Sequence, residues 1–182
     1  MISKFVKGKV AVFIDAANIL YSQQTLGWRV DYQRLKTYFE NECELLGLYF
    51  YTGKIGKDHK QAKFLARMEE YGYKVTSKEV KMIKISPDTF ERKGDLDAEL
   101  IIDALKNANN FDTCILMSGD SDFAPLVDEL KRLGKWIIVM SAKGHISREL
   151  IERAKYINLK KLKDQIFLAD KKSEKPEGFS EV

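Results

Sequence analysis

Lys9-Val10-Ala11-Val12-Phe13-Ile14-Asp15-Ala16-Ala17-Asn18 is the stretch on which the reading of the fold turns. Residues 9–14 form an almost unbroken apolar run rather than an alternation of apolar and polar positions. A strand with one wet face alternates, whereas a strand covered on both faces does not. Asp15 ends the run and places a carboxylate at the carboxyl end of a buried strand, the edge where open α/β sheets bind ligands. The pattern recurs downstream. Residues 113–117 (TCILM) and 136–140 (WIIVM) are further buried strands, and 48–51 and 74–76 are shorter ones. Helical patterns separate them. Residues 31–45 put Tyr32, Leu35, Tyr38 and Phe39 on one face with Asp31 as N-cap. Residues 60–71 end at Gly72. Residues 97–108 carry Ala98, Ile101, Ile102 and Leu105 as an inner stripe. Residues 122–133 stop at Gly134, and a short helix follows near 147–153.

Strand–helix alternation with uninterrupted apolar strands predicts an α/β, doubly wound, mainly parallel sheet, of order 3-2-1-4-5. No internal repeat is visible. Residues 79–92 alternate Val80, Met82, Ile83 and Ile85 with lysines and read as an extended arm or a hairpin. The expected division is one domain over 1–160 and a charged C-terminal tail over 161–182. In that tail Ile166, Phe167 and Leu168 either pack down or bind a partner.

The 182 residues, 45 % hydrophobic and 32 % charged, suffice for one domain with a sizeable core. No apolar run reaches the roughly 18 residues of a membrane span. The lysines before 9–14 faintly resemble a signal peptide, but Asp15 interrupts the apolar run, so a cytoplasmic address is expected. Cys43 and Cys114 form no CxxC pair, and His59 and His145 are too few for a histidine metal site. Any metal is therefore held by carboxylates, which select Mg²⁺ or Mn²⁺. The net charge of +4 permits a polyanionic partner. Lys54, Lys57, Lys60, Lys63, Arg67, Lys74, Lys78, Lys81, Lys84, Arg92 and Lys93 crowd one region while the aspartates gather elsewhere. That segregation suits binding of a polyanion around a metal, and a solvated lysine-rich surface accounts for it equally well.

With order 3-2-1-4-5, Asp15 and Asp120 end neighbouring strands and converge where the winding reverses. Asp97 opens a helix on the face shared with Ile101 and Ala104, directed at the sheet. Asp122 in Ser118-Gly119-Asp120-Ser121-Asp122-Phe123 reads equally as a ligand or as a charge favouring a helix N-terminus, with Ser121 as N-cap and Pro125 in the first turn. Asp95 reads first as the N-cap of the following helix. A cluster of four carboxylates repels itself unless a cation neutralises it. Asn18, Ser118 and Lys93 are second-tier candidates for phosphate or for positioning the acids. His145 reads as a loop histidine ahead of a base.

Together Phe13-Ile14-Asp15-Ala16-Ala17-Asn18, Lys93-Gly94-Asp95-Leu96-Asp97 with Asp103, and Ser118-Gly119-Asp120-Ser121-Asp122-Phe123 resemble the NYN domain family, LabA-like branch, of the PIN-like nuclease superfamily. The resemblance spans roughly residues 8–158 with the motifs in the family's order. It implies a PIN-like, Rossmannoid three-layer fold and a metal-dependent endoribonuclease acting on single-stranded or structured RNA. It also implies an acidic Mg²⁺ or Mn²⁺ site at Asp15, Asp97, Asp120 and Asp122. Asp97 stands one residue further from Lys93-Gly94 than the family spacing has it, which keeps Asp95 as an alternative ligand. The other readings are a non-catalytic nucleic-acid- or nucleotide-binding regulatory module, with a homodimer or a protein partner engaged through the tail, and a receiver-like phosphoacceptor.

Overall fold

The computed structural model describes residues 2–54, 56, 58–86, 89–93 and 95–169, with 81–86 and 89–93 described through the backbone alone. In chain order β1 (Lys9–Asp15) leads into α1 (Ala16–Leu26) and α2 (Tyr32–Glu42), then β2 (Glu44–Lys54), α3 (His59–Glu70) and β3 (Lys74–Glu79). β4 (Lys81–Ser86) and β5 (Thr89–Lys93) follow, then α4 (Asp97–Lys106), β6 (Thr113–Met117), α5 (Ala124–Arg132), β7 (Trp136–Ser141), α6 (Arg148–Arg153), β8 (Lys155–Asn158) and α7 (Lys163–Ile166).

Six strands form the central sheet in the order β3-β2-β1-β6-β7-β8, and all their pairings are parallel. This is the expected order with a sixth strand added at the β7 edge, since β4 and β5 leave the sheet to pair antiparallel with each other. The hairpin reading of residues 79–92 therefore holds for the backbone. β1, β6 and β7 are buried almost end to end because helices cover both faces of the sheet. Alternate residues feed two cores. Val10, Val12, Ile14, Phe50, Ile115 and Ile138 face Ile19 of α1, Phe39 of α2 and Met68 of α3. Ala11, Phe13, Tyr49, Leu116 and Val139 face Leu100 of α4 and Val127 and Leu130 of α5. Each fully buried side chain of this size contributes roughly 1.5–3 kcal/mol by leaving water.

Two local expectations shift. The sequence reading passed over α1; Asp15 caps it, its Oδ1 accepting the amides of Ala17 (3.0 Å) and Asn18 (3.2 Å). α4 buries Leu100 and Ala104 whereas Ile102 is 48 % exposed, so the predicted stripe was out of phase. Of the two alternatives for the start of the tail, packing down is what the structure has: Leu162 and Ile166 join Leu159 in the core, and the amides of Asp31 and Leu168 donate to the carbonyls of Ile166 and Arg29. Residues 170–182 lie outside the described residues. Both cysteines are free. Among the described residues no helix is long and apolar enough to cross a membrane.

Candidate active site

The winding reverses between β1 and β6. Ile14 pairs with Met117, so the residues that follow, Asp15 and Ser118, leave the sheet side by side. Ser118 is fully buried, and its hydroxyl donates to Asp15 Oδ2 at 2.9 Å while accepting the Asp120 amide at 3.2 Å. One hydroxyl thus ties the two strand-end acids together. Asp15 has one oxygen on Ser118 and the other on two helix amides, which fixes its orientation.

Asp15, Asp97 and Asp120 line one crevice of about 190 Å³, together with Asn18, Tyr21, Tyr51 and Asp95. Three segments far apart in the chain meet there. Asn18 contributes its amide to Asp15, and its side-chain Oδ1 accepts from Ser141 Oγ at 3.1 Å. Tyr51 pairs with Asp15 in register across β1 and β2 and donates to Asp103 Oδ2 at 3.0 Å, linking β2 to α4.

Asp122 stands apart. It is exposed, does not line the crevice, and donates its amide to Asp120 Oδ1 at 3.0 Å. Asp120, not Ser121, is therefore the capping residue of that turn. Asp95 is the reverse case. Leu96, not Asp95, holds the N-cap position of α4, with no side-chain cap hydrogen bond, and Asp95 faces the crevice. His145 does not line the crevice; its Nε2 lies 2.5 Å from Thr25 Oγ1. The backbone of Lys93 ends β5, and its side chain lies outside the described residues.

The electrostatics record the crowding. Burial, followed by repulsion from Asp15, Asp120, Asp95 and Asp122, pushes Asp97 up to about 6. Burial also raises Asp15 above the ordinary carboxylate range, opposed by the Asn18 amide, Ser118 and the Ala17 amide, with Asp120 adding to the rise. Hard oxygen donors that repel one another, half-buried at Asp15 and Asp97 and exposed at Asp95 and Asp120, have the donor chemistry suited to a divalent cation. Among the described residues no three His, Cys, Asp or Glu side chains stand close enough to enclose an ion as they are.

Tyr21 and Tyr51 escaped the sequence reading, which held Asp95 only as an alternative ligand. Tyr51 was within reach of it, because it ends the strand beside β1 and the strand-end rule applies equally to it.

Set against known proteins, residues 9–160 match the NYN domain family. Low amplitude and bright protein LabA from Synechococcus elongatus is 33 % identical over 180 residues, covering 96 % of this chain and 94 % of its own. The crystal structure of a protein of unknown function from Vibrio parahaemolyticus superposes with a TM-score of 0.73 at 27 % identity, over 89 % of this chain and 97 % of that one. A match across the whole α/β domain, with a relative aligned over nearly the full length, places the chain in the NYN domain family.

Proposed function

We propose that this protein is a metal-dependent endoribonuclease that hydrolyses RNA phosphodiester bonds at the crevice between β1, β6 and α4. The observation that carries the reading is the meeting of Asp15, Asp97 and Asp120, from three separate segments, around one crevice where burial, and then their repulsion, lifts Asp97. In this reading those three hold Mg²⁺ or Mn²⁺, Asp95 stands as a fourth donor on the rim, and Asp122 acts from outside through its charge. When bound, such an ion polarises a phosphoryl oxygen and lowers the pKa of a coordinated water. Ser118 and the amides of residues 17 and 18 hold Asp15 in place, so the acid does not reorient during turnover. Asn18 borders the crevice at the helix N-terminus, where an incoming phosphate meets positive dipole ends. The exposed Lys60, Lys63 and Arg67 of α3 supply charge along the path of a polyanion.

A second reading, a non-catalytic RNA- or nucleotide-binding module of the same fold, is favoured by the lack, among the described residues, of a ready-made three-ligand site. One experiment separates the two. Labelled single-stranded, structured and duplex RNA and DNA are incubated with the protein in Mn²⁺, Mg²⁺ or EDTA, beside a folded Asp120→Asn variant. Metal-dependent cutting of RNA that the variant lacks is the expected outcome. Binding without any cutting by folded, metal-loaded protein selects the second reading.

A further inference from the structure

A second cavity opens at the same edge of the sheet, on the other side of the α1 N-terminus. It is twice the size of the acid crevice, about 380 Å³, and Thr52 at the end of β2 lines both. α3 builds its wall in a regular way. α3 buries Leu65 and Met68, and the neighbouring stripe of Phe64 and Arg67, continued by the C-cap Tyr71, lines the cavity. Here the stripe stays half open. Phe64 packs edge-on against Tyr32 (5.7 Å between ring centroids) and Phe50 (6.0 Å), yet remains 38 % exposed. Leu20 on α1, 55 % exposed, forms the facing side.

Positive charge predominates inside. Arg29 and Arg67 line the cavity, and among the described residues their guanidinium groups make no ion pair or hydrogen bond. The carboxylate there, Asp31, already has its Oδ1 occupied by the amides of Gln33 and Arg34, at 2.9 and 3.1 Å. An open aromatic wall beside two guanidinium groups is complementary to a flat base tethered to a negatively charged phosphate, which is what an unstacked nucleotide presents.

We infer that the cavity walled by Phe64, Tyr71, Arg29 and Arg67 is a binding site for one unstacked nucleotide of single-stranded RNA, flanking the phosphate held at the acid crevice. The inference rests on the RNA-directed reading above and adds a substrate form to it. The small crevice takes a phosphate, the larger cavity takes the neighbouring base, and Thr52 marks where the strand passes from one to the other. A duplex cannot enter, because its bases are paired and stacked. The site therefore selects single strands, loops or frayed ends.

The test is fluorescence anisotropy with a labelled single-stranded RNA of about a dozen nucleotides and the full chain carrying Asp120→Asn, so that binding is read without cutting. A series of RNAs, each with one abasic position, is titrated against this protein and against the same protein with Phe64→Ala. One abasic position is expected to weaken binding about tenfold in the first protein and to have no effect in the second, with Phe64→Ala itself costing about tenfold. Arg29→Gln and Arg67→Gln, which alter solvent-facing groups and leave the aromatic cluster intact, are each expected to reduce the salt dependence of binding by a slope of about 0.7. Abasic profiles unchanged by Phe64→Ala, with both arginine variants binding like the parent, overturn the inference. If the wild-type protein still cuts RNA in that case, only this inference falls; if it binds no RNA at all, the functional reading falls with it.

Discussion

Asp97 shows which effects govern single residues at this site. It opens α4, where the helix dipole favours a carboxylate by roughly 0.3–1 kcal/mol. Burial and four neighbouring acids outweigh that preference and push its proton affinity up to about 6 from an ordinary 3.8. Between those two pH values the folded chain holds a proton that the unfolded chain has lost, so this group's contribution to stability falls as pH rises through that window. Above about pH 6 the penalty is complete. Asp97→Asn removes it, and in EDTA at pH 7 the variant is expected to be more stable by about 1 kcal/mol, after allowance for solvent screening at a half-exposed position. The gain is expected to vanish below about pH 4. Urea unfolding at both pH values checks this, and a pH-independent difference would show that the substitution acts through packing. The same variant is expected to lose cleavage, the stability–activity exchange that an electrostatically strained site produces.

At the level of elements, the turn after β6 is held by the turn after β7. The Ser147 amide donates to the Gly119 carbonyl at 2.8 Å, and Ser141 Oγ donates to the carbonyl of His145 at 2.9 Å. Gly119 is fully enclosed, and a β-carbon there would fall on the carbonyl oxygen of His145, which is backbone and cannot swing aside. Glycine is required by close approach rather than by an unusual φ. Gly119→Ala is therefore expected to cost about 1–3 kcal/mol of stability, as overpacking does. It is also expected to slow cleavage about a hundredfold by displacing Asp120, the next residue in the turn. Thermal unfolding and single-turnover cleavage measure the two effects, and wild-type values in both would mean that the turns separate without moving the acid. His145 takes part in these turns through its backbone carbonyl, and its ring contacts Thr25.

Across the whole molecule, the C-terminal stretch completes the domain. α7 packs Ile166, fully buried, under α2, and Arg34 donates to the carbonyls of Asp164 (2.9 Å) and Phe167 (3.1 Å). Val30 bridges to Phe167, which sets Leu168 at the rim of the nucleotide cavity. Ile166→Ala is expected to lower stability by about 2–5 kcal/mol, the range for a large apolar residue deleted from a closed core. Denaturant unfolding decides between this and a cost near zero, the result a detached tail would give. The fold thus places two cavities at one sheet edge, with Leu168 among the residues that line the larger one.

The layers and strand order were legible in the sequence because they follow from local chemistry. Unbroken apolar runs at 9–14, 113–117 and 136–140 admit only strands covered on both faces, and parallel strands joined by helices leave few windings. That Asp15 and Asp120 meet followed from the same rule, since both end strands at the reversal of winding. Three things were settled only by tertiary structure. The stripe of α4 depended on its rotation against the sheet, which put Leu100 and Ala104 inside and Ile102 out. The placement of Asp95 at the crevice and of Asp122 outside it depended on where the helix starts sit relative to the crevice. The packing of 159–168 depended on contacts between residues more than a hundred positions apart, such as Val30 with Phe167, and the aromatic cavity on the meeting of Phe64 with Tyr32 and Phe50. Periodicity reports which residues avoid water; which of them meet is decided by the shape into which the whole chain closes.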